Sequence, residues 1–179
     1  MENSLKSVHL DEIRIKPRHM LPSLKNDNFV TPWKLYHKWT NHFKIYPELD
    51  VAATHENKKC SECITADENA LTTDWILKNG RIVPCWCNHP HSLHEAFIRR
   101  ADQQFKQFGM TIMMLLPNNV EGSSIWHKVV EPNRFTFETQ QGYIHLYPLK
   151  GTIRFSKDGK KSEYASRNRY SIVIWRKPI

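Results

Sequence analysis

The stretch CWCNHPHSLHEAF, residues 85–97, decides how this chain is read. Its first ten residues hold two cysteines, an asparagine, three histidines and a proline, and a helical pattern takes over directly afterwards. Upstream it continues the apolar run IVPCWC (82–87), short enough for a buried strand. Downstream, Ser92 and Glu95 have the S-x-x-E spacing of a capping box, and Leu93, Phe97, Ala101, Phe105 and Phe108 keep a helical stripe that Gly109 stops. NHPH is therefore expected to be a strand-to-helix turn. Such a turn admits two chemistries: a metal site of Cys and His, or a catalytic loop at a strand end.

Working outward, MTIMMLL (110–116) and ELDVAA (48–53) are two more apolar runs of strand length. Strand, helix, strand in that order predicts an α/β fold with a mostly parallel sheet and crossover helices. In such sheets ligands bind outside the carboxyl ends of the strands, which is where Asn88 falls. Thr31-Pro32 reads as an N-cap followed by proline at the first helical position, opening a helix over 32–44. Trp33, Leu35, Tyr36, Trp39 and Phe43 share one face of it, and Trp33, Trp39 and Phe43 are read as core. The tail from Gly142 alternates and carries Asp158-Gly159, which predicts antiparallel strands joined by a hairpin. Residues 1–26 show no period and hold two prolines, so they are expected to form an arm, with 27–179 as a single domain.

A length of 179 residues, 40% hydrophobic and 25% charged, fits one globular domain. No apolar run reaches the roughly 18–20 residues that span a bilayer, and the first 26 residues lack a signal-peptide core, so the expectation is a cytoplasmic protein with no membrane partner. Four cysteines in such a chain suggest free thiols or metal ligands rather than disulfides. The formal charge is +8, and from Lys150 onward nine basic residues face two acidic ones. Lys157, Lys160, Lys161, Arg167 and Arg169 are the candidate phosphate contacts, with Phe155, Tyr164, Tyr170 and Trp175 interleaved as stacking surfaces. The alternative for this tail is a solvated hairpin that serves only solubility.

DNFVTP (27–32), LDVAA (49–53), KC (59–60), TADENALTTDW (65–75), CWCNHPH (85–91), MMLLP (113–117), GTIRF (151–155) and SIVIW (171–175) together resemble, in order and approximate spacing, the bacteriophage DNA N-6-adenine methyltransferases of the Dam type. The resemblance covers about residues 27 to 179. It implies a Rossmann-like class I methyltransferase fold, S-adenosylmethionine as cofactor and adenine in nucleic acid, DNA ahead of RNA, as substrate. A phage-encoded relative would act in the host cytoplasm. It also implies cofactor contacts at Thr31, Pro32, Asp50, Val51, Ala52, Asp67, Glu68 and Asn88, and a catalytic loop at Asn88, His89, Pro90 and His91. In that family the loop normally reads Asn or Asp, Pro, Pro, aromatic, so His89 and His91 are departures; Asn69 likewise stands where many relatives carry an acid.

The departures have a physical reading. The exocyclic amine of adenine is a poor nucleophile, because its lone pair is delocalised into the ring, so it must be held by its hydrogens and aligned. Asn88 keeps the side-chain acceptor and His89 keeps a carbonyl, while Pro90 biases His89 toward extended geometry. His91 is a smaller aromatic that can still stack on a flipped base. Against this, His89 lacks the fixed φ of proline, and the other reading is a relative that binds nucleic acid without catalysis.

The metal reading rests on Cys60-x-x-Cys63 and Cys85-x-Cys87 as a zinc site. Only the first pair has typical zinc spacing, and Cys60 and Cys87 stand where the resembled family has lone cysteines, so no metal is the expectation. Bland readings stand beside the functional ones elsewhere. Asp50 can be a strand-end acid satisfied by backbone amides, and Thr31 can be a helix cap alone. Trp75 and Trp126 are expected to pack, and His55 and His94 to lie on the surface.

Overall fold

Three consecutive residues, Cys85–Cys87, lie at the centre of a six-stranded sheet in the computed structural model, which describes residues 29–155 and 166–177. In chain order the elements are α1 (Trp33–Phe43), β1 (Leu49–Asp50), β2 (Glu62–Cys63), β3 (Cys85–Cys87), α2 (His94–Phe108), β4 (Ile112–Pro117), β5 (Ile144–Pro148) and β6 (Tyr170–Trp175). The sheet order is β2-β1-β3-β4-β6-β5. The first four strands are parallel, and β6 runs antiparallel to both β4 and β5. Mostly parallel with an antiparallel C-terminal pair is the arrangement expected from sequence.

Alternation within each strand sends side chains to two cores. Cys85, Cys87, Ile112, Met114, Val173 and Trp175 pack on one face with Phe97, Ile98, Ala101 and Phe105 of α2. Trp86, Met113, Leu115, Ile172 and Ile174 pack on the other with Tyr36 and Trp39 of α1. Both faces are covered, which is why CWC, IMMLLP and YSIVIW are buried at every position instead of alternating with polar residues. Trp86 anchors the α1 side, edge-on to Tyr36 at 5.3 Å and stacked with Trp39 at 6.1 Å.

Several expectations change. α1 begins at Trp33, with Pro32 in the N-cap position and no side-chain cap, so Thr31 does not cap it. The cause is Pro32 itself, whose ψ of 138° is extended and whose carbonyl takes the first amide bonds from Leu35 and Tyr36. The Ser92–Glu95 capping box is not formed either. After Pro90 the chain makes a 3-10 turn over His91–Leu93, closed by Leu93 N–H to the Pro90 carbonyl at 2.9 Å, so Leu93 holds the N-cap position of α2. Gly109 does stop α2, in the left-handed region at φ 67°, donating to Phe105 O at 2.7 Å.

The strands read over 48–53 and 82–87 are shorter than expected, and the edge strand β2 was not expected at all. Only the β3-to-β4 connection is a helical crossover; turns and coil make the other two. Trp33 is 51% exposed rather than core, whereas Trp75 and Trp126 are buried as expected. Asp158-Gly159 and residues 1–26 lie outside the described residues. Among the described residues no helix is long and apolar enough to cross a membrane.

The long connection from β2 to β3 is pinned to α2 by two side chains, Gln104 and Arg100. Gln104, fully buried, accepts from Trp75 N–H at 2.6 Å and donates to Asp74 Oδ1 at 2.9 Å, and Arg100 pairs with the same carboxylate at 2.9 Å. Gln104→Met keeps the shape but leaves the Trp75 amide unpaired. Urea unfolding should therefore show a loss of about 1–3 kcal/mol at an unchanged m-value, and an unaltered midpoint would remove Gln104 from this role.

Candidate active site

β1 and β3 lie side by side and parallel, yet the chain leaves β1 toward β2 on one side and β3 toward β4 on the other. This divergence makes their carboxyl ends a topological switch point, where the departing loops part and leave a crevice. A small, open cleft lies there, lined by Asp50, Ala52, Lys59, Trp86, Asn88 and the Phe29–Thr31 segment. Register explains the convergence: Asp50 pairs with Trp86, so Asn88 emerges just beyond the level of Asp50.

Asp50 is 3% exposed, with Oδ2 accepting from Lys59 N–H at 2.9 Å and Oδ1 from Ala52 N–H at 3.4 Å. Burial pushes its carboxyl up to about 6, against the opposing pull of those two amides and of the Lys59 charge. The first bond also fixes the 51–61 loop, which brings Lys59 into the wall of the cleft. Lys59 is 7% exposed, donates from Nζ to the Asn57 carbonyl at 2.8 Å and lies 4.6 Å over the Trp33 ring. Thr31 Oγ1 is buried in the same wall without a hydrogen-bond partner.

Asn88 donates from Nδ2 to the Phe29 carbonyl at 2.7 Å. A carbonyl can only accept, so this bond fixes which end of the amide is which and leaves Oδ1 without a protein donor among the described residues. His89 points the other way. It is buried against Phe97 of α2 at 5.2 Å, with both ring nitrogens unpartnered, and burial holds its pKa down at about 3, so the ring is neutral. His91 sits in an aromatic group, 5.8 Å from Phe29 and 5.7 Å from Tyr170.

The structure thus gathers Thr31, Asp50, Ala52 and Asn88 in one crevice, with His91 in the adjoining aromatic group. Val51 is fully buried in the α2-side core, and Pro32 is not among the lining residues. Asp67 and Glu68 lie beyond β2 and do not line the cleft; Glu68 accepts from Thr65 N–H at 2.8 Å within its own turn. Arg167 and Arg169 are exposed, and they precede β6 where Tyr170 pairs with Pro117 at the carboxyl end of β4, the same end as the crevice. Lys157, Lys160, Lys161 and Tyr164 lie outside the described residues.

Phe155, Tyr170 and Trp175 are buried and so are not the exposed stacking surfaces expected, because Tyr170 and Trp175 belong to β6, an inner strand covered on both faces, and Phe155 packs against Phe29 and Tyr170. His55 is exposed as expected, but His94 is half-buried, its Nδ1 2.8 Å from the His91 carbonyl. Cys60 packs with the α1-side core while Cys85 and Cys87 belong to the α2-side core, and Cys63 lies 3.7 Å from His55 Nδ1. Among the described residues no three His, Cys, Asp or Glu side chains gather into a cation site. Sequence reasoning gave Lys59 no role, although KC (59–60) was one of the fragments carrying the resemblance; Phe29 and Trp86 were missed in the same way.

The fold and site define an α/β protein with a ligand crevice at the switch point of a mostly parallel sheet. The family profile of DNA N-6-adenine-methyltransferase (Dam) matches residues 18–179, and the chain belongs to that family. It is 39% identical over 100 residues to a DNA N-6-adenine-methyltransferase of Haemophilus phage HP1 (strain HP1c1), covering 56% of this chain and 54% of that protein. It is 28% identical over 152 residues to one of Escherichia phage T1, covering 85% of this chain and 56% of the relative. The matches span about half the length of these two relatives.

The buried acid has a measurable signature. Because the folded pKa of Asp50 is raised above the unfolded value, its ionisation opposes folding. The penalty is absent below about pH 4, grows as the pH rises toward about 6, and is full above that. Stability of Asp50→Asn minus that of the native chain should therefore climb across this window by about 2–3 kcal/mol and level off near neutrality. A difference curve that is flat from pH 4 to 7 would mean that Asp50 is not desolvated.

Proposed function

We propose that this chain transfers a methyl group from S-adenosylmethionine to the N-6 amino group of adenine in DNA, with the base flipped out of the stack toward Asn88–His91. Residues 27–179 would form the domain that does so, on a Rossmann-like class I architecture. Family membership and the sheet order, with one helix packed on each face, support that reading. The single observation that carries it is the orientation of Asn88, pinned through Nδ2 to Phe29 with Oδ1 left to accept.

The crevice residues fit a cofactor of this kind: a buried carboxylate at Asp50, an orphaned hydroxyl at Thr31 and Trp86 in the lining. S-adenosylmethionine, when bound, supplies an electrophilic methyl group on a sulfonium. What the protein must add is position, since the amine needs no strong base but does need its two hydrogens held. Asn88 Oδ1 accepts one and the His89 carbonyl the other. The buried His89 ring, wedged on Phe97, does for the loop what ring closure does for proline elsewhere: it limits how the 88–91 backbone can move. Phe29 and His91 present the aromatic surface for the base. Flipping costs a few kcal/mol, offset by contacts from Arg167, Arg169 and the lysines at 157, 160 and 161 to the flanking phosphates.

Tritium transfer from the labelled cofactor to adenine tests this. Asn88→Ala should lower transfer at least about a hundredfold while DNA affinity stays within about twofold. Catalysis indifferent to Asn88→Ala would place the active site elsewhere. The double variant His89→Pro, His91→Tyr restores the family pattern. Activity in that variant alone would make the natural chain a binding-only relative, and label found in RNA rather than DNA would change the substrate.

A further inference from the structure

The outward face of α1 carries one sign of charge. Between Phe29 and Pro47 the chain has Lys34, Lys38 and Lys44 and no Asp or Glu. Tyr36, Trp39 and Thr40 are the buried residues of the helix, while Trp33, Lys34, His37, Lys38, Asn41 and His42 are exposed. Lys34 and Lys38 stand four apart, a spacing at which like charges repel, and no ion pair among the described residues involves either. Trp33 and His37 form the adjoining row, their rings stacked at 5.3 Å. A helix face built for solubility alone would mix Glu with Lys and turn its tryptophan inward. Trp33 is instead 51% exposed, whereas the other five tryptophans are at most 6% exposed. This face begins at the lip of the crevice. The Phe29–Thr31 segment of the lining runs through Pro32 straight into α1, and the Trp33 ring lies 4.6 Å from Nζ of Lys59 in the crevice wall.

We propose that the outward face of α1 is a DNA-backbone surface, with Lys34 and Lys38 neutralising phosphates beside the extruded adenine and Trp33 packing on the neighbouring nucleotide. This rests on the function proposed above and extends it, because it places strand contacts on a helix far in sequence from Arg167 and Arg169. Cationic and aromatic rows side by side suit a nucleic-acid strand: the lysines answer phosphates whatever the sequence, and a ring face accepts any base. Stacking on His37 braces that ring, so it meets the strand in a fixed orientation. Phe29, three residues before α1, also meets His91 at 5.8 Å, so one stretch of chain joins the catalytic loop's aromatic group to the basic helix. That position favours DNA over an acidic protein or an anionic lipid surface, neither of which has reason to lie at the entrance to the crevice.

Two readouts on the full chain with a short mixed-sequence DNA duplex test the surface. Because Trp33 is the one exposed tryptophan, acrylamide quenching of the native fluorescence reports it, and added DNA should remove most of that quenching. Trp33→Phe should lack the quenchable component with or without DNA. The double variant Lys34→Gln, Lys38→Gln should make the slope of log affinity against log salt shallower by about 2 and weaken binding about tenfold at moderate salt. Lys106→Gln with Lys128→Gln, on α2 and the segment packed against it, removes the same charge and should leave the slope within about 0.5 of native. Quenching that DNA leaves unchanged, or slopes that fall equally in both double variants, would overturn the surface even where methyl transfer to adenine is intact. Stronger protection of Trp33 by phosphatidylglycerol vesicles or polyglutamate than by DNA would overturn it in favour of a membrane or an acidic partner. A native chain that neither binds DNA nor transfers methyl would overturn the proposed function with it.

Discussion

The crevice depends on the burial of one very short strand. β3 has three residues, all buried, laddered to β1 on one side and β4 on the other. So short an element has little stability of its own; it is held by neighbours and by the two cores that Cys85, Trp86 and Cys87 enter alternately. That constraint sets the height at which Asn88 leaves the sheet. It also makes Trp86 serve twice, as the anchor for α1 and as part of the crevice lining.

Around this scaffold the polar groups are arranged against ordinary stability. An acid at Asp50 is buried enough to resist ionisation, Lys59 is buried outside any ion pair among the described residues, Thr31 lacks any hydrogen-bond partner, and His89 keeps two nitrogens unsatisfied. Natural chains concentrate such violations at functional sites, where a ligand or a required geometry compensates for them. Three of the four lie in one cleft, and the fourth braces the loop that carries Asn88. In the proposed reaction the first three answer to the cofactor and the fourth to the base.

Much of this was legible in the sequence, for identifiable reasons. The stripe at Phe97, Ala101 and Phe105 and the run at 110–116 report burial directly, so α2 and β4 were readable and with them the end of the sheet that holds Asn88. Periodicity does not report which buried layer a residue joins, and so it could not place Trp33 outside the core or Tyr170 inside it. Caps failed for a related reason: Thr31-Pro32 and Ser92-x-x-Glu95 are common helix openings, but the backbone at Pro32 and at Pro90 commits to extended geometry and moves each start downstream. β2 is two residues defined entirely by its partner, which leaves no local trace. Lys59 was invisible because lysine in a loop reads as solvated, and only the fold buries it.

The central claim is that one crevice, outside the carboxyl ends of β1 and β3, holds the cofactor and faces the target amine. A crystal structure of the chain with S-adenosylhomocysteine and a short DNA bearing an extruded adenine tests it most directly. The account predicts the ligand between Asp50 and Asn88, over Trp86, with the adenine amino nitrogen within hydrogen-bond reach of Asn88 Oδ1. A ligand seated instead in the groove beside Phe105, Lys106 and Tyr143 at the far end of α2, or an adenine remote from Asn88, would contradict it.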